Sequence, residues 1–139
     1  RIAAEDTRFA VPAAKLGLGY RYAGVKTLVD VVGPANAAEI FYSAKQYNAQ
    51  EAQRMGLINE ILPVEGFDDA AESYLRTIAQ NAPLTMKAVK MAIRGALEQA
   101  APAGLDDIDA AVSACFQSDD YAEGRAAFAQ KRKPVFKGR

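Results

Sequence analysis

Apolar residues recur at helical spacing along most of this chain. Val25, Leu28, Val29 and Val32 fall on one face, and Gly33-Pro34 closes that helix and opens a second one carrying Ala37, Ala38, Ile40, Phe41 and Ala44. Asn48-Ala-Gln-Glu51 is a capping pattern that predicts a short third helix ending at Gly56. Phe67, Ala70, Ala71, Tyr74, Leu75 and Ile78 form an apolar stripe, as do Val89, Ala92, Ile93, Ala96 and Leu97. Ala101-Pro-Ala-Gly104 separates those helices from another bearing Leu105, Ile108, Val112, Cys115 and Phe116. Ser118 then caps a last helix with Asp119 and Asp120 in its first turn and Lys131, Arg132 and Lys133 in its last, both placements complementing the helix dipole. Pro134 stops it, leaving Phe136 and a cationic tail that is expected to fray.

The pattern is different at the start. Residues 1–4 and 8–11 read as short extended pieces around the turn Glu5-Asp6-Thr7, and Pro12 breaks the second. Extended structure at residue 1 carries the expectation that partner strands precede it or lie in another chain. Lys15-Leu-Gly-Leu-Gly-Tyr-Arg-Tyr-Ala-Gly24 holds three glycines in ten residues and reads as a loop. Residues 57–62 are β-like and stop at Pro63. The chain is therefore expected to be mostly α-helical with short strands at its start.

Composition narrows the chemistry. At 139 residues the chain can bury roughly two-thirds of its unfolded surface in one core. Formal net charge is zero, so bulk electrostatics recruits neither nucleic acid nor an anionic membrane. No apolar run approaches the roughly twenty residues that cross a bilayer. Cys115 is the only cysteine, which rules out an internal disulfide and fits a reducing cytoplasm. There is no histidine, hence no Ser-His or Cys-His nucleophile pair and no His-based metal site within this chain.

Few groups remain that could do chemistry. Gly17, Gly19 and Gly24 miss the dinucleotide spacing, and no Gly-Lys-Ser/Thr follows them. Asp106-Asp107 and Asp119-Asp120 read as helix-start charges, not metal ligands. Glu5, Asp6, Asp30 and Glu39 sit in contexts typical of turns and solvated helix faces.

Several motifs resemble the crotonase family, the enoyl-CoA hydratases and isomerases. The last helix and tail carry Glu123-Gly, Ala127-Phe128 and Lys131-Arg-Lys-Pro134, while Gly33-Pro34 and Met55-Gly-Leu57 support the match. Phe9, Pro12, Leu16, Gly17 and Gly24 fit the frame in which these enzymes carry Phe, Pro-Glu, Leu-Gly and a glycine-rich turn. The resemblance covers essentially the whole chain. It implies the C-terminal portion of an α/β crotonase-like fold, with Arg1 matching a residue in the middle of that fold. Residues 1–63 would then be the end of the core, a pocket wall and the first helices, and residues 64–139 a helical trimerisation region.

The resemblance also implies a substrate, partners and site residues. The substrate is an acyl thioester of coenzyme A, with no tightly bound cofactor and no metal. Partners are other copies, as a homotrimer or a hexamer built as a dimer of trimers, together with a missing N-terminal half of the fold. Nucleic acid and membrane are not expected partners. Pro12, Ala13, Gly17, Tyr20 and Arg21 fall on the pocket wall. Lys131 falls where the family approaches the phosphorylated adenosine end of coenzyme A bound to a neighbouring subunit, and Val112 where an aromatic packs on the adenine. Valine offers apolar contact there but no stacking.

This chain departs from the pattern at one decisive position. Ala13 replaces the family's glutamate, and a methyl group cannot transfer a proton. Tyr20 and Arg21 stand where proline and glycine are common; Arg21 would hold a substrate carboxylate if it points inward and is merely solvated if it points outward. Both oxyanion donors and the other glutamate would precede Arg1. Two readings stand: an acyl-CoA-processing enzyme of the hydratase/isomerase type, or a catalytically empty acyl-CoA-binding or oligomerisation module. An RNA-binding scaffold has only the short basic run behind it.

Overall fold

Short strands far apart in sequence are tied together in the first part of the chain. In the computed structural model, which describes residues 1–16, 18–98 and 102–139, the chain divides into two compact units, Arg1–Ser73 and Tyr74–Arg139. In the first unit, β1 (Ile2–Ala4) pairs in parallel with β4 (Glu60–Leu62), placing Ala3 opposite Ile61. β2 (Arg8–Phe9) pairs antiparallel with β3 (Tyr47–Asn48), placing Phe9 opposite Tyr47. The guanidinium of Arg1 donates to the carbonyls of Gly56 and Leu57, satisfying acceptors in the turn that feeds β4.

The first helices follow the sequence grammar closely. α1 (Ala13–Leu16) is a single turn. α2 (Tyr22–Ser43) is two helices joined at a kink, because Gly33 adopts φ 76° and ψ 164°, left-handed backbone that glycine enters without a Cβ clash. Pro34 then starts the second segment with its φ already set. The helix ends on Ala44, also left-handed at φ 46°, whose N–H returns to the Ile40 carbonyl at 3.3 Å. α3 (Ala49–Arg54) carries the expected capping box: the Asn48 side chain accepts the Glu51 N–H and the Glu51 carboxylate accepts the Asn48 N–H, both at 2.8 Å.

Two apolar clusters fill this unit. Ala3, Ala49, Ala52 and Ile58 form one, with Phe9 and Ile61 against it. Val32, Ala37, Ile40 and Tyr47 form the other, and Leu57 packs against both. Small side chains at Ala49 and Ala52, both fully buried, let α3 lie close to the strands. Tyr47 is the largest fully buried side chain, and its hydroxyl is satisfied by the Glu39 carbonyl and the Ser43 hydroxyl.

The division between the units falls within α4 (Phe67–Ala79). In the second unit α5 (Pro83–Glu98) packs against α6 (Pro102–Phe116), and α7 (Asp119–Ala129) follows, capped by Ser118, whose hydroxyl accepts the Tyr121 N–H at 3.1 Å. Buried side chains here are few: Ala88, Asp120 and Ala127 among the described residues. Val89, Ile93, Leu105, Phe116 and Phe128 stay exposed, so the amphipathic stripes are present without a matching partner surface within the unit.

Five sequence expectations change. The loop over residues 12–24 includes α1, held by N–H contacts from Lys15 to Pro12 and Leu18 to Ala13. The β-like run over 57–62 narrows to β4, because the Leu57 and Ile58 N–H groups turn back to Ala52. Lys131, Arg132 and Lys133 lie beyond α7, not in its last turn. The tail after Pro134 is not frayed; the carboxylates of Glu123 and Asp120 fasten it along α7. The expected Ala101-Pro-Ala-Gly104 separator is cut short, because Pro102, Ala103 and Gly104 already belong to α6; Ala101 lies outside the described residues.

Candidate functional site

Two of the predicted wall residues, Ala13 and Tyr20, line an apolar groove. The methyl of Ala13, 6% exposed, faces a cavity of about 380 Å³ lined also by Tyr20, Val29, Pro34, Ala37 and Phe41. The kink at Gly33 brings Pro34 and Ala37 to this groove, and the Tyr20 ring meets Phe41 edge-on at 5.1 Å. Among the described residues no carboxylate, ammonium or guanidinium lines it; its polar side chains are Tyr20 and Tyr42, and the rest of the lining suits an apolar chain.

The other predicted wall residues are dispersed. Pro12 and Arg21 are exposed and do not line the groove. Arg21 is the N-cap of α2, with its carbonyl accepting the Gly24 and Val25 N–H groups, and its guanidinium makes no ion pair among the described residues. Gly17 lies outside the described residues. No cluster of three or more His, Cys, Asp or Glu side chains suited to a metal occurs among the described residues.

In the second unit Val112 lines an apolar groove of about 600 Å³ together with Val89, Phe116, Tyr121 and Phe128. Phe116 and Tyr121 meet edge-on at 5.3 Å. Lys131 does not line that groove. It follows α7 with φ 51°, in left-handed backbone that costs a residue bearing a Cβ about 1 kcal/mol. The surrounding bonds are those of a Schellman ending: the Arg132 N–H reaches the Ala127 carbonyl at 3.0 Å and the Lys131 N–H reaches Phe128 at 3.2 Å. Lysine thus occupies a position that usually goes to glycine.

Two carboxylates one helical turn apart clasp the segment after α7. Glu123 takes a forked contact from Arg132, at 2.6 and 2.8 Å, and also accepts the Val135 N–H at 2.9 Å. The Arg132 contact, with the Val135 N–H second, holds the Glu123 carboxyl down at about 2 and raises the Arg132 guanidinium. Asp120, 3% exposed, accepts the N–H groups of Lys137 and Gly138. Phe136 is thereby laid against Gly124, where an added Cβ would already touch the ring at 3.6 Å. Sequence reasoning missed this clasp: Glu123 and Arg132 are nine positions apart, a spacing that no helix periodicity marks.

Helices dominating two short two-stranded sheets, with a glycine-kinked helix over an apolar groove, define an α/β chain of the crotonase-like class. Similarity to solved structures agrees: an enoyl-CoA hydratase/carnithine racemase from Magnetospirillum magneticum superposes with a TM-score of 0.86 at 32% identity, covering 100% of this chain and 51% of that one. An enoyl-CoA hydratase from Mycobacterium tuberculosis H37Rv gives 0.84 at 29% identity, over 99% of this chain and 55% of the other. The family profile for enoyl-CoA hydratase/isomerase matches residues 1–139, and the chain belongs to that family. Among curated relatives, it is 33% identical to the 2,3-dehydroadipyl-CoA hydratase of Escherichia coli K12 and to a carnitinyl-CoA dehydratase of Salmonella paratyphi A. In each case the match covers 99% of this chain and 54% of the relative, so the chain spans about half the length of the curated relatives it matches.

Proposed function

We propose that this chain supplies one wall of an acyl-CoA thioester pocket in a protein of the hydratase/isomerase type, with the family's second proton-transferring glutamate replaced by Ala13. The observation that carries the reading is the buried Ala13 methyl facing a groove without any carboxylate. Hydration of an enoyl thioester needs one group to activate water, one to protonate the α-carbon, and N–H donors for the enolate oxygen. This wall contributes shape and dryness to such a site. The remaining machinery belongs to the rest of the fold, and the assembly is a trimer or a dimer of trimers acting in the cytoplasm without a metal.

Lys131 meets the phosphate end of coenzyme A, and Val112 gives apolar contact without stacking. An exposed ammonium on phosphate is worth on the order of 1 kcal/mol and weakens with salt. Lys131→Ala should therefore weaken coenzyme A binding several-fold at low salt and less at high salt.

Ala13 favours a second reading, an acyl-CoA-binding or oligomerisation module without turnover, while the tail with Lys131 is compatible with either. Crotonyl-CoA hydration by the full-length protein separates the two. On the enzyme reading the unmodified protein is slow and Ala13→Glu raises the rate, since a general acid–base group contributes roughly a hundred- to ten-thousand-fold. A companion Ala13→Glu/Arg21→Gly variant removes Arg21 as a partner for the new carboxylate. On the module reading neither variant turns over. Hydration by the unmodified protein at the rate of ordinary hydratases would overturn the role assigned to Ala13.

A further inference from the structure

The three basic residues after α7 are not equivalent. Arg132 is neutralised by Glu123 and also donates from Nε to Gln130 Oε1 at 2.7 Å and from Nη1 to the Lys133 carbonyl at 3.2 Å. The ammonium groups of Lys131 and Lys133 make no ion pair among the described residues, and both side chains are exposed. A charge that only complemented the helix dipole would not need its neighbour locked by a fork. Lys131 also sits in left-handed backbone, a conformation that a residue with a Cβ keeps only where its surroundings over-determine it. Those surroundings are visible: the Arg132 N–H is bonded back into α7, the Arg132 guanidinium is bonded to Glu123, and the same carboxylate catches the chain again at Val135.

We infer that Glu123 is a positioning residue for Lys131: through Arg132 and Val135 it fixes the backbone on the C-terminal side of Lys131, so that the ammonium is delivered to the phosphate end of coenzyme A from a rigid mount. The inference rests on the proposed contact between Lys131 and coenzyme A. Arg132 is the anchor of the basic run and Lys131 its recognition element. A flexible lysine would lose more conformational freedom on binding, so the clasp lowers the cost of a contact that is itself modest.

The test compares coenzyme A with dephospho-coenzyme A on the full-length protein by titration calorimetry at low salt. Lys131→Ala should lose the preference for coenzyme A, several-fold. Glu123→Gln should lose most of the same preference, and the double variant should bind no more weakly than Lys131→Ala alone. Arg132→Lys, which keeps the charge but cannot form the fork, should fall between wild type and Glu123→Gln even if the latter folds poorly. Hydrogen exchange at the Arg132 and Val135 amides should quicken in both clasp variants. If Lys131→Ala loses the preference while Glu123→Gln and Arg132→Lys keep it, the positioning role is wrong and the Lys131 contact stands. If Lys131→Ala keeps the preference, the contact itself is wrong and the inference goes with it.

Discussion

The Asp120 carboxylate accepts the backbone N–H of Gly138 at 2.8 Å, across eighteen positions of chain. Its other oxygen takes the Lys137 N–H at 2.6 Å, and the side chain is 3% exposed. Hydrogen bonds to a buried charged acceptor are worth more than neutral ones, and here two depend on one residue. Asp120→Ala is expected to cost about 2 kcal/mol, with Asp120→Asn costing less because one acceptor oxygen remains. Urea unfolding of the three proteins checks this, and a loss too small to resolve for Asp120→Ala would remove the clasp from the stability of this unit.

Acid should loosen the other half of the clasp. The Glu123 carboxyl is held at about 2 against an ordinary 4.5, chiefly by Arg132. A depressed carboxyl stabilises the folded state fully above its ordinary range and progressively less as pH falls from about 4.5 through about 2. The gap in thermal midpoint between wild type and Glu123→Gln should therefore be flat near neutral pH and close on acidification. High salt should narrow it at every pH, because the pair is partly exposed. A gap that stays constant down to the acid limit would show that the fork contributes nothing.

Lys131→Gly should separate stability from binding. Glycine relieves the left-handed strain at φ 51°, a gain of about 1 kcal/mol. The ammonium is lost with the side chain, so coenzyme A affinity should drop as in Lys131→Ala. Thermal melts and binding titrations on the same preparations give both numbers, and a destabilised Lys131→Gly protein would contradict the strain argument.

Residues 1–139 should self-associate when made alone. Leu75, Ile93, Leu97, Phe116 and Phe128 are all about half exposed or more, on helices whose own unit buries only small side chains and Asp120 among the described residues. Surface of that kind is rarely left bare in a soluble monomer. Sedimentation should show higher-order species at micromolar concentration; a stable, monodisperse 14.9 kDa species would rule this out.

Local chemistry explains which parts of the fold can be read from the sequence. The Asn48–Glu51 box and the Gly33-Pro34 break each act within a few residues, so their signals are intact in the sequence. β3 is two residues long and exists only because Phe9 and Arg8 lie across from it, which no local pattern encodes. Ala13 reads as a missing carboxylate only through the family resemblance, while its place on an apolar groove is a feature of the fold. The Asp120 and Glu123 contacts are not legible. Their partners are backbone N–H groups in the tail and an arginine past a left-handed turn, and helix-start acids look alike whether solvated or buried.

The parallel pairing of Ile2–Ala4 with Glu60–Leu62 is a contact between distant parts of the chain, which folding makes slowly. Those strands are separated by the long loop that holds α2 and α3, and the entropy of closing it is spent before their hydrogen bonds form. In the second unit, α5 and α6 are neighbours in sequence and need no such closure. Refolding should accordingly run in two phases, with helical signal from the second unit early and burial of Ala3, Ala49 and Tyr47 late. Until that closure β1 and β4 lack each other as partners, and an unpaired strand edge is where a folding chain can join the wrong neighbour.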